Sequence, residues 1–288
     1  MELTYTQFEV LQLVVRRKGL SKSELCSGLP FTQEVISRTL KELTKNKLVN
    51  LRQAGIKPTQ KAWDVLEPYR VKRAVILAAG MGTRMRPETQ NTPKPMVRVG
   101  NKRIIETQID ALHKAGITDI TIVRGYLSHK FDVLLDTYPN LKFVDNPHWE
   151  SAGAIVSVSY IVDLLEGAYL IEGDLFIESP GVFRQYEYQS FYCGINDDVI
   201  DDWHFVADKT LQIKKLAHGS RLNKHKDNYK FVGIMHWVSK EAFKIKQDLE
   251  KVLQDSTNHQ RFIESVPFDE QTGDYKIYAR KISEGSVT

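Results

Sequence analysis

The sequence predicts an α/β fold, in which helices flank a mainly parallel sheet and a small helical module precedes it. Two observations support this prediction. Short apolar runs, such as 74–78 and 120–123, alternate with amphipathic segments such as 104–115, and this alternation is typical of parallel α/β sheets. Residues 1–70 instead show consecutive short helical patterns. We therefore predict two domains, 1–70 and 71–288.

The composition indicates a globular protein. The 288 residues are 42% hydrophobic and 26% charged, which are ordinary values. The two cysteines, Cys26 and Cys193, lack C-x-x-C spacing, so we expect neither a disulfide framework nor a zinc site. No apolar run reaches the length of a membrane span, and the N-terminus lacks a signal-peptide pattern. We therefore expect a cytoplasmic protein with no membrane partner.

Basic charge is concentrated in the first domain, which holds twelve Lys and Arg against seven Asp and Glu, while the remainder holds 28 against 29. The pattern predicts a helix at 4–17, a second begun by a capping box of Ser21 and Glu24, and a third capped by Thr32. A short hairpin and a helix at 60–67 follow. This order resembles the winged helix-turn-helix of small bacterial repressors.

The third helix takes the recognition position of that motif. Its outward positions are expected to be Gln33, Ser37, Arg38 and Lys41. DNA binding is one interpretation of this module. The other is dimerisation or regulation of the attached domain, because an excess of five positive charges, twelve minus seven, is modest for a DNA-binding domain.

The second domain predicts helices at 128–137 and 155–162 and strands at 141–144 and 168–171. The last of these strands is followed at once by Asp174, inside E-G-D. Ligands of parallel α/β sheets bind at the carboxyl ends of the strands, so this carboxylate is a candidate site residue. The rest of the chain predicts one helix at 241–253 and strands at 191–195, 203–207, 211–213, 231–237 and 275–280.

The stretch 71–99 carries the strongest functional signal. A turn of small residues at 79–83 follows an apolar strand, and then come Arg84, Arg86 and Lys94, the last between two prolines. Glycines let backbone N–H groups approach a polyphosphate, and basic side chains neutralise its charge. The stretch therefore predicts a site for a nucleoside triphosphate.

Two better-known phosphate loops are excluded, because no lysine follows Gly82 and Met85 stands where a dinucleotide fingerprint has its third glycine. The pattern G-x-G-T-R-x-x-P, then Thr89 and P-K-P, resembles the nucleotidyltransferase family that joins nucleoside triphosphates to sugar phosphates or phosphoalcohols. That resemblance implies a Rossmann-like nucleotidyltransferase domain over 71–288.

The resemblance also implies the reaction, in which a phosphate oxygen attacks the α-phosphorus of the nucleotide and pyrophosphate leaves. Arg84 would contact the β- and γ-phosphates, and Lys94 the α-phosphate and the acceptor phosphate. Asp174 would hold Mg²⁺. Glu172 is two residues away and near enough in the chain to share the site, but the resemblance does not select it. The expected nucleotide-binding residues are Leu77, Ala78, Ala79, Gly80, Met81, Gly82, Thr83, Asn146 and Ser157.

Within the family, 71–288 is most similar to CTP:phosphocholine cytidylyltransferases. It shares an acidic stretch before Trp203, a G-I-M-H-W strand ending at Trp237, and a terminal E-G-S-V. These two rings, with Tyr192 and Tyr229, would form an aromatic cage for the quaternary ammonium of phosphocholine. The alternative is that all four are ordinary core aromatics.

Two departures from the family pattern leave the base and the acceptor open. Gly153-Ala154 replace its paired asparagines, and its acidic E-I-D continuation is not in this sequence, so we expect either a further domain or an incomplete metal site. The leading hypothesis is an Mg²⁺-dependent cytidylyltransferase acting on CTP and phosphocholine or a similar phosphate ester. The alternatives are a sugar-1-phosphate uridylyl- or thymidylyltransferase and a nucleotide-sensing DNA-binding regulator. A homodimer is compatible with each.

Overall fold

The structure is a computed structural model, and it describes residues 1–17, 19–151, 153–196, 202–219, 228–269 and 272–288. The chain divides into two compact units. One comprises residues 1–70 and 186–188, and the other comprises 71–185 and 189–288. We describe each unit by itself.

The first unit consists of four helices and one antiparallel hairpin within its described residues. Thr4, Ser21 and Thr32 each accept a backbone hydrogen bond at the start of a helix, which satisfies an otherwise unpaired N–H group. The predicted capping box of Ser21 and Glu24 is present. The elements are α1 Tyr5–Arg16, α2 Lys22–Ser27, α3 Gln33–Lys45, β1 Val49–Arg52, β2 Gly55–Pro58 and α4 Gln60–Leu66.

Helix α3 buries Ile36, Leu40 and Leu43 in the core of this unit. On its other faces Gln33, Arg38 and Lys41 are exposed, as expected of outward positions. Ser37 is half-buried, and its hydroxyl donates to the Gln33 carbonyl 2.5 Å away.

The second unit is built on one large mixed sheet, in which nine strands pair within the described residues. The strands are β3 Arg73–Ala78, β6 Ile120–Arg124, β7 Lys142–Asp145, β8 Ala168–Glu172, β9 Phe191–Ile195, β10 Trp203–Ala207, β11 Ile213–His218, β12 Asn228–Trp237 and β13 Tyr278–Lys281. Their order is β11-β10-β12-β8-β3-β6-β7, with β9 paired to β12 and β13. A separate small hairpin joins β4 Arg98–Val99 and β5 Lys102–Arg103.

The central strands β8, β3, β6 and β7 are all parallel, as predicted for an α/β nucleotidyltransferase fold. Strand β12 then runs antiparallel to β8, β9 and β10. The helices α5 Ile104–Lys114, α6 Ala154–Ser159 and α7 Ser239–Val252 pack on the sheet through apolar faces. In α5 the buried face contains Ile105, Ile109 and Leu112, within the segment 104–115 that the sequence predicts to be amphipathic.

Several predicted elements have different bounds in the structure. The segment predicted as a helix at 128–137 is a 3₁₀ helix, Ser128–Asp136, and the helix predicted at 155–162 ends at Ser159. Leu211 has a positive φ of 67°, so β11 begins only at Ile213. In the described part of the chain, no helix combines the length and apolarity that crossing a bilayer requires.

Candidate active site

The site lies where β3 and β8 end side by side. The two strands are parallel, with Leu77 opposite Glu172, so the loops that follow them leave the same edge of the sheet. The Gly173 backbone N–H donates to the Leu77 carbonyl at 2.8 Å, and a Cβ on Gly173 would lie 2.7 Å from that oxygen. Only a glycine lets the second loop approach the first strand this closely.

A cavity of about 340 Å³ opens between these loops. It contains the glycine-rich loop, the P-K-P lysine and the strand-end carboxylates that the sequence indicated. Its lining residues are Leu77, Ala78, Ala79, Gly80, Gly82, Arg84, Met85, Lys94, Pro95, Asn146, Trp149, Gly153, Ala154, Ser157, Glu172, Gly173, Asp174 and Phe262.

Lys94 and Asp174 form an ion pair in this cavity, with Nζ 2.6 Å from Oδ2. Both side chains are partly exposed, at 29% and 36%, so a ligand can reach either. Lys94 begins a short 3₁₀ helix, Lys94–Met96, which contains the buried Pro95. A rigid backbone therefore presents a long flexible cation to the cavity.

The glycine-rich loop is held in place around Gly82, whose φ is +61°. A Cβ on this glycine would lie 2.9 Å from the Lys94 Cβ. The fully buried Thr89 donates its hydroxyl to the Gly82 carbonyl at 2.8 Å. At Gly80 a Cβ would meet nothing within 4 Å, so the backbone there faces open space where a phosphate group fits.

Asn146 and Ser157 line the other side of the cavity and are both buried. The Asn146 amide donates to the Ser157 hydroxyl oxygen at 3.0 Å and accepts from the His148 backbone N–H at 2.8 Å. These bonds fix the orientation of the amide. The ring of Trp149 also lines the cavity and packs at 5.4 Å against Tyr126, which supplies an apolar wall for a nucleobase.

The loop after β8 is fixed from the α5 side by Gln108. This buried amide donates to the Glu172 carbonyl at 3.0 Å and to the Leu175 carbonyl at 2.8 Å. Glu172 itself lines the cavity. Burial above all, and then the nearby carboxylates of Glu264, Asp174 and Asp202, raise its pKa to about 8 against the opposing effect of Lys94.

The structure brings most of the predicted site residues together. Arg84, Lys94 and Asp174 lie in one cavity with the nucleotide candidates Leu77, Ala78, Ala79, Gly80, Gly82, Asn146 and Ser157. Met81 and Thr83 belong to the same loop but do not line the cavity. Sequence reasoning missed Trp149, Gln108 and Phe262. For Gln108 the available signal was one amide on the apolar face of a helix.

The predicted aromatic cage needs a correction, because three of its four rings are in the core. Trp237, Tyr192 and Tyr229 are at most 1% exposed. Trp237 pairs with Ala168 at the beginning of β8, four residues before Glu172, or roughly 13 Å along the strand. These three rings therefore do not reach the cavity.

Trp203 is the fourth ring of the predicted cage, and it is half-buried. It packs edge to face on Phe262, with ring centroids 5.7 Å apart. Phe262 lines the cavity, whereas Trp203 does not. Of the acidic stretch before Trp203, residues 197–201 lie outside the described part of the chain.

An Mg²⁺ ion bound at the predicted ligand, Asp174, would have few protein ligands. Among the described residues, no three His, Cys, Asp or Glu side chains converge as a metal site. Lys94 engages one carboxylate oxygen of Asp174, and the other stays available. Magnesium often uses one or two protein carboxylates together with substrate phosphates and water, so Asp174, with Glu172 beside it, satisfies that requirement.

Comparisons with known proteins agree with this geometry. Residues 73–185 match the family model described as nucleotidyl transferase. The 2-aminoethylphosphonate cytidylyltransferase of Lancefieldella rimae is 32% identical over 196 residues, which cover 67% of this chain and 78% of that protein. The choline-phosphate cytidylyltransferase of Streptococcus pneumoniae is 32% identical over 180 residues, covering 62% and 76%.

A solved structure gives the same result. The CTP:phosphocholine cytidylyltransferase from Streptococcus pneumoniae superposes with a TM-score of 0.69 at 29% identity, over 76% of this chain and 92% of that one. The chain therefore belongs to the nucleotidyl transferase family. Within it, this enzyme is of the cytidylyltransferase type. The comparisons do not favour the sugar-1-phosphate and regulator alternatives.

Proposed function

We propose that this enzyme transfers CMP from CTP to a phosphate or phosphonate oxygen of a small amino-alcohol type of acceptor, such as phosphocholine or 2-aminoethylphosphonate, and releases pyrophosphate. The observation that carries the proposal is the Lys94–Asp174 pair, which lies in one cavity with an open glycine loop and a fixed Asn146–Ser157 pair. The relatives named as cytidylyltransferases support the choice of base and acceptor class.

The chemistry requires positioning more than covalent help from the protein. An acceptor oxygen forms a bond to the α-phosphorus, and the bond from that phosphorus to the bridging oxygen of pyrophosphate breaks. Negative charge builds up on the α-phosphate oxygens, where the Lys94 ammonium stabilises it. The exposed Arg84 lies on the same loop and neutralises the departing phosphates.

Asp174 and Glu172 would hold Mg²⁺ at the same edge of the sheet. When bound, the ion supplies charge neutralisation to the phosphates. Asp174 also orients Lys94 in its absence, because the two side chains are 2.6 Å apart.

Selection of the nucleobase depends on Asn146, Ser157 and Trp149, which also line the cavity. The Ser157 hydroxyl oxygen already accepts from Asn146, so its own proton is left to donate. A cytosine presents its O2 and N3 acceptors to such a donor. The apolar wall of Trp149 covers the face of the ring.

A substrate panel tests this proposal. Purified enzyme is given CTP, UTP or dTTP with Mg²⁺ and with phosphocholine, 2-aminoethylphosphonate or glucose 1-phosphate, and pyrophosphate release is measured. We expect release with CTP and an amino-alcohol acceptor, and background with glucose 1-phosphate. The Lys94→Ala protein, prepared identically, controls for contaminating activity. Faster release with glucose 1-phosphate and UTP or dTTP would replace the proposal with sugar-nucleotide synthesis.

A further inference from the structure

A second cavity, of about 530 Å³, lies in the same unit as the nucleotide cleft and shares none of the residues that line it. Its volume is within the range of small-molecule binding sites. No residue proposed to act in cytidylyl transfer lines this cavity. The proposed reaction therefore leaves it without a role.

Cations outnumber carboxylates along this second lining. Arg98, Arg103 and Lys130 contribute positive charge, against the carboxylate of Glu88. Arg103 already pairs with Glu106 at 2.7 Å. Arg98 and Lys130 are exposed, and neither belongs to an ion pair within the described residues. One Arg98 nitrogen donates to a backbone carbonyl of its own hairpin at 2.8 Å, which leaves most of the N–H groups of that guanidinium to bind an anion.

Apolar side chains lie beside these cations. Met96 is buried, Val97 is half-buried and Val133 is 45% exposed, and all three line the cavity. An apolar surface next to two available cations fits a ligand that joins an anionic group to a compact apolar body. The guanidinium fork of Arg98 matches the oxygens of a phosphate group. A phosphate ester has both of these features.

The second cavity and the nucleotide cleft share one short turn of backbone. Met96 and Val97 line the cavity, whereas Lys94 and Pro95 line the cleft. The Met96 N–H donates to the Pro93 carbonyl at 2.8 Å, and the Val97 N–H donates to the Lys94 carbonyl at 3.1 Å. Because these bonds tie 93–97 into one turn, a displacement of Met96 or Val97 also displaces the backbone that carries Lys94.

We propose that this cavity is a second binding site, for a phosphate ester with a small apolar body, and that its occupant lowers turnover through the turn that carries Lys94. Arg98 and Lys130 bind the phosphate, and the apolar side chains contact the body of the ligand. Contact with Met96 and Val97 shifts Lys94 from its place at the α-phosphate, and a misplaced charged group costs catalysis.

Binding is measured by calorimetry with phenyl phosphate as the probe, and with inorganic phosphate and benzyl alcohol to represent its two halves. The nucleotide cleft is first filled with Mg²⁺ and α,β-methylene-CTP, so that Lys94 and Arg84 are occupied. We expect one site per chain for phenyl phosphate, weaker binding of inorganic phosphate and no saturable binding of benzyl alcohol. Failure of phenyl phosphate to bind at millimolar concentrations, or equally tight binding of benzyl alcohol, would overturn the proposal.

Variants assign the probe to this cavity. The double variant Arg98→Gln with Lys130→Gln should weaken phenyl phosphate about tenfold or more, since it removes charged hydrogen-bond donors. Val133→Asp keeps both cations and should weaken the probe by placing a carboxylate beside the phosphate. The matched control removes two exposed cations elsewhere in the unit, by Lys114→Gln with Lys240→Gln, and should bind as wild type does. Wild-type affinity in the first double variant would place the probe in the cleft and overturn the proposal.

Turnover tests the connection to Lys94. At saturating CTP, Mg²⁺ and acceptor, phenyl phosphate should lower kcat about twofold to tenfold in wild type and in the control, and should have no effect in Arg98→Gln with Lys130→Gln. Melting temperatures establish that each variant is folded. An unchanged kcat in wild type at saturating probe would overturn the connection. If no acceptor gives turnover, the proposed function fails, while the binding measurement still decides whether the second site exists.

Discussion

The two ends of the cleft differ in whether the protein itself supplies hydrogen-bond or ion-pair partners for the polar side chains there. At the nucleotide end, Asn146, Thr89 and Lys94 each have a side-chain or backbone partner at 2.6–3.0 Å. Beside β12, burial raises the pKa values of the cavity-lining Glu172 and of the buried Glu264. The polar groups at the nucleotide end are satisfied within the protein, whereas the buried Oε1 atom of Glu264 has no hydrogen-bond partner.

The largest effect should come from Lys94, which joins the two ends. Lys94→Ala removes the positioned charge at the α-phosphate, and we expect kcat to fall on the order of 100-fold or more. CTP affinity, measured by calorimetry, should change less. Lys102→Ala, which breaks an exposed ion pair with Asp110 in the same unit, is the control. Turnover of Lys94→Ala within about twofold of wild type would remove this lysine from the mechanism.

The loop beneath the nucleotide offers the next test. Gly82→Ala combines a positive φ with a 2.9 Å approach to the Lys94 Cβ, whereas Gly100→Ala has a similar φ of +64° and open space. Both should lose about 1–2 kcal/mol of stability from backbone strain. Only Gly82→Ala should also lose activity, by about tenfold, because a misplaced charged group costs catalysis. Equal activities in the two variants would show that the loop tolerates displacement of Lys94.

A smaller effect is expected at the base end. Ser157→Ala leaves the buried Asn146 amide without its 3.0 Å partner, and we expect KM for CTP to rise about tenfold. Ser159→Ala is the control, since that hydroxyl donates within the same helix, to the Val156 carbonyl at 2.8 Å. An unchanged KM for CTP in Ser157→Ala would separate this pair from base binding.

The last test concerns how the stability of the protein depends on pH through the buried Glu264. A carboxyl group whose pKa rises on folding stabilises the protein while it is protonated, below its unfolded value near 4.5, and loses that contribution as the pH rises through about 7. Glu264 should therefore cost up to about 3 kcal/mol between pH 5 and 8. Glu264→Gln should melt with a flatter pH dependence over that window in thermal scans. Parallel curves for the two proteins would contradict it.

The sequence predicted the nucleotide-binding residues better than the acceptor-binding residues, and the reason is physical. The glycine loop, Lys94 and its prolines are close neighbours in the chain, so their spacing alone defines a phosphate site. Asp174 was found because it follows an apolar strand, and parallel strands end at one edge. Each of these signals depends on neighbouring residues in the chain, so it can be recognised without knowing how the strands of the sheet are paired.

The positions of the predicted acceptor residues depend on strand pairing, which the sequence does not show. Trp237 had the right residue type, but antiparallel pairing puts it opposite Ala168, far from the strand end that carries the site. Glu264 lies in a 3₁₀ helix, Ile263–Phe268, which Phe262 immediately precedes, and both residues are distant in sequence from β8. Gln108 acts through two carbonyls of the β8 loop, and such contacts are visible only after folding.

The Lys94–Asp174 pair has a consequence for the binding of the nucleotide and for the release of pyrophosphate. In the empty cleft each charge already has a counter-ion at 2.6 Å, so an arriving nucleotide exchanges one partner for another instead of meeting a bare ammonium. Substrate therefore gains less from this lysine than an isolated cation would give. Pyrophosphate, for the same reason, is released from a lysine that regains its internal partner. The pair therefore weakens the binding of both the nucleotide and pyrophosphate, and its re-formation returns the cleft to its starting state.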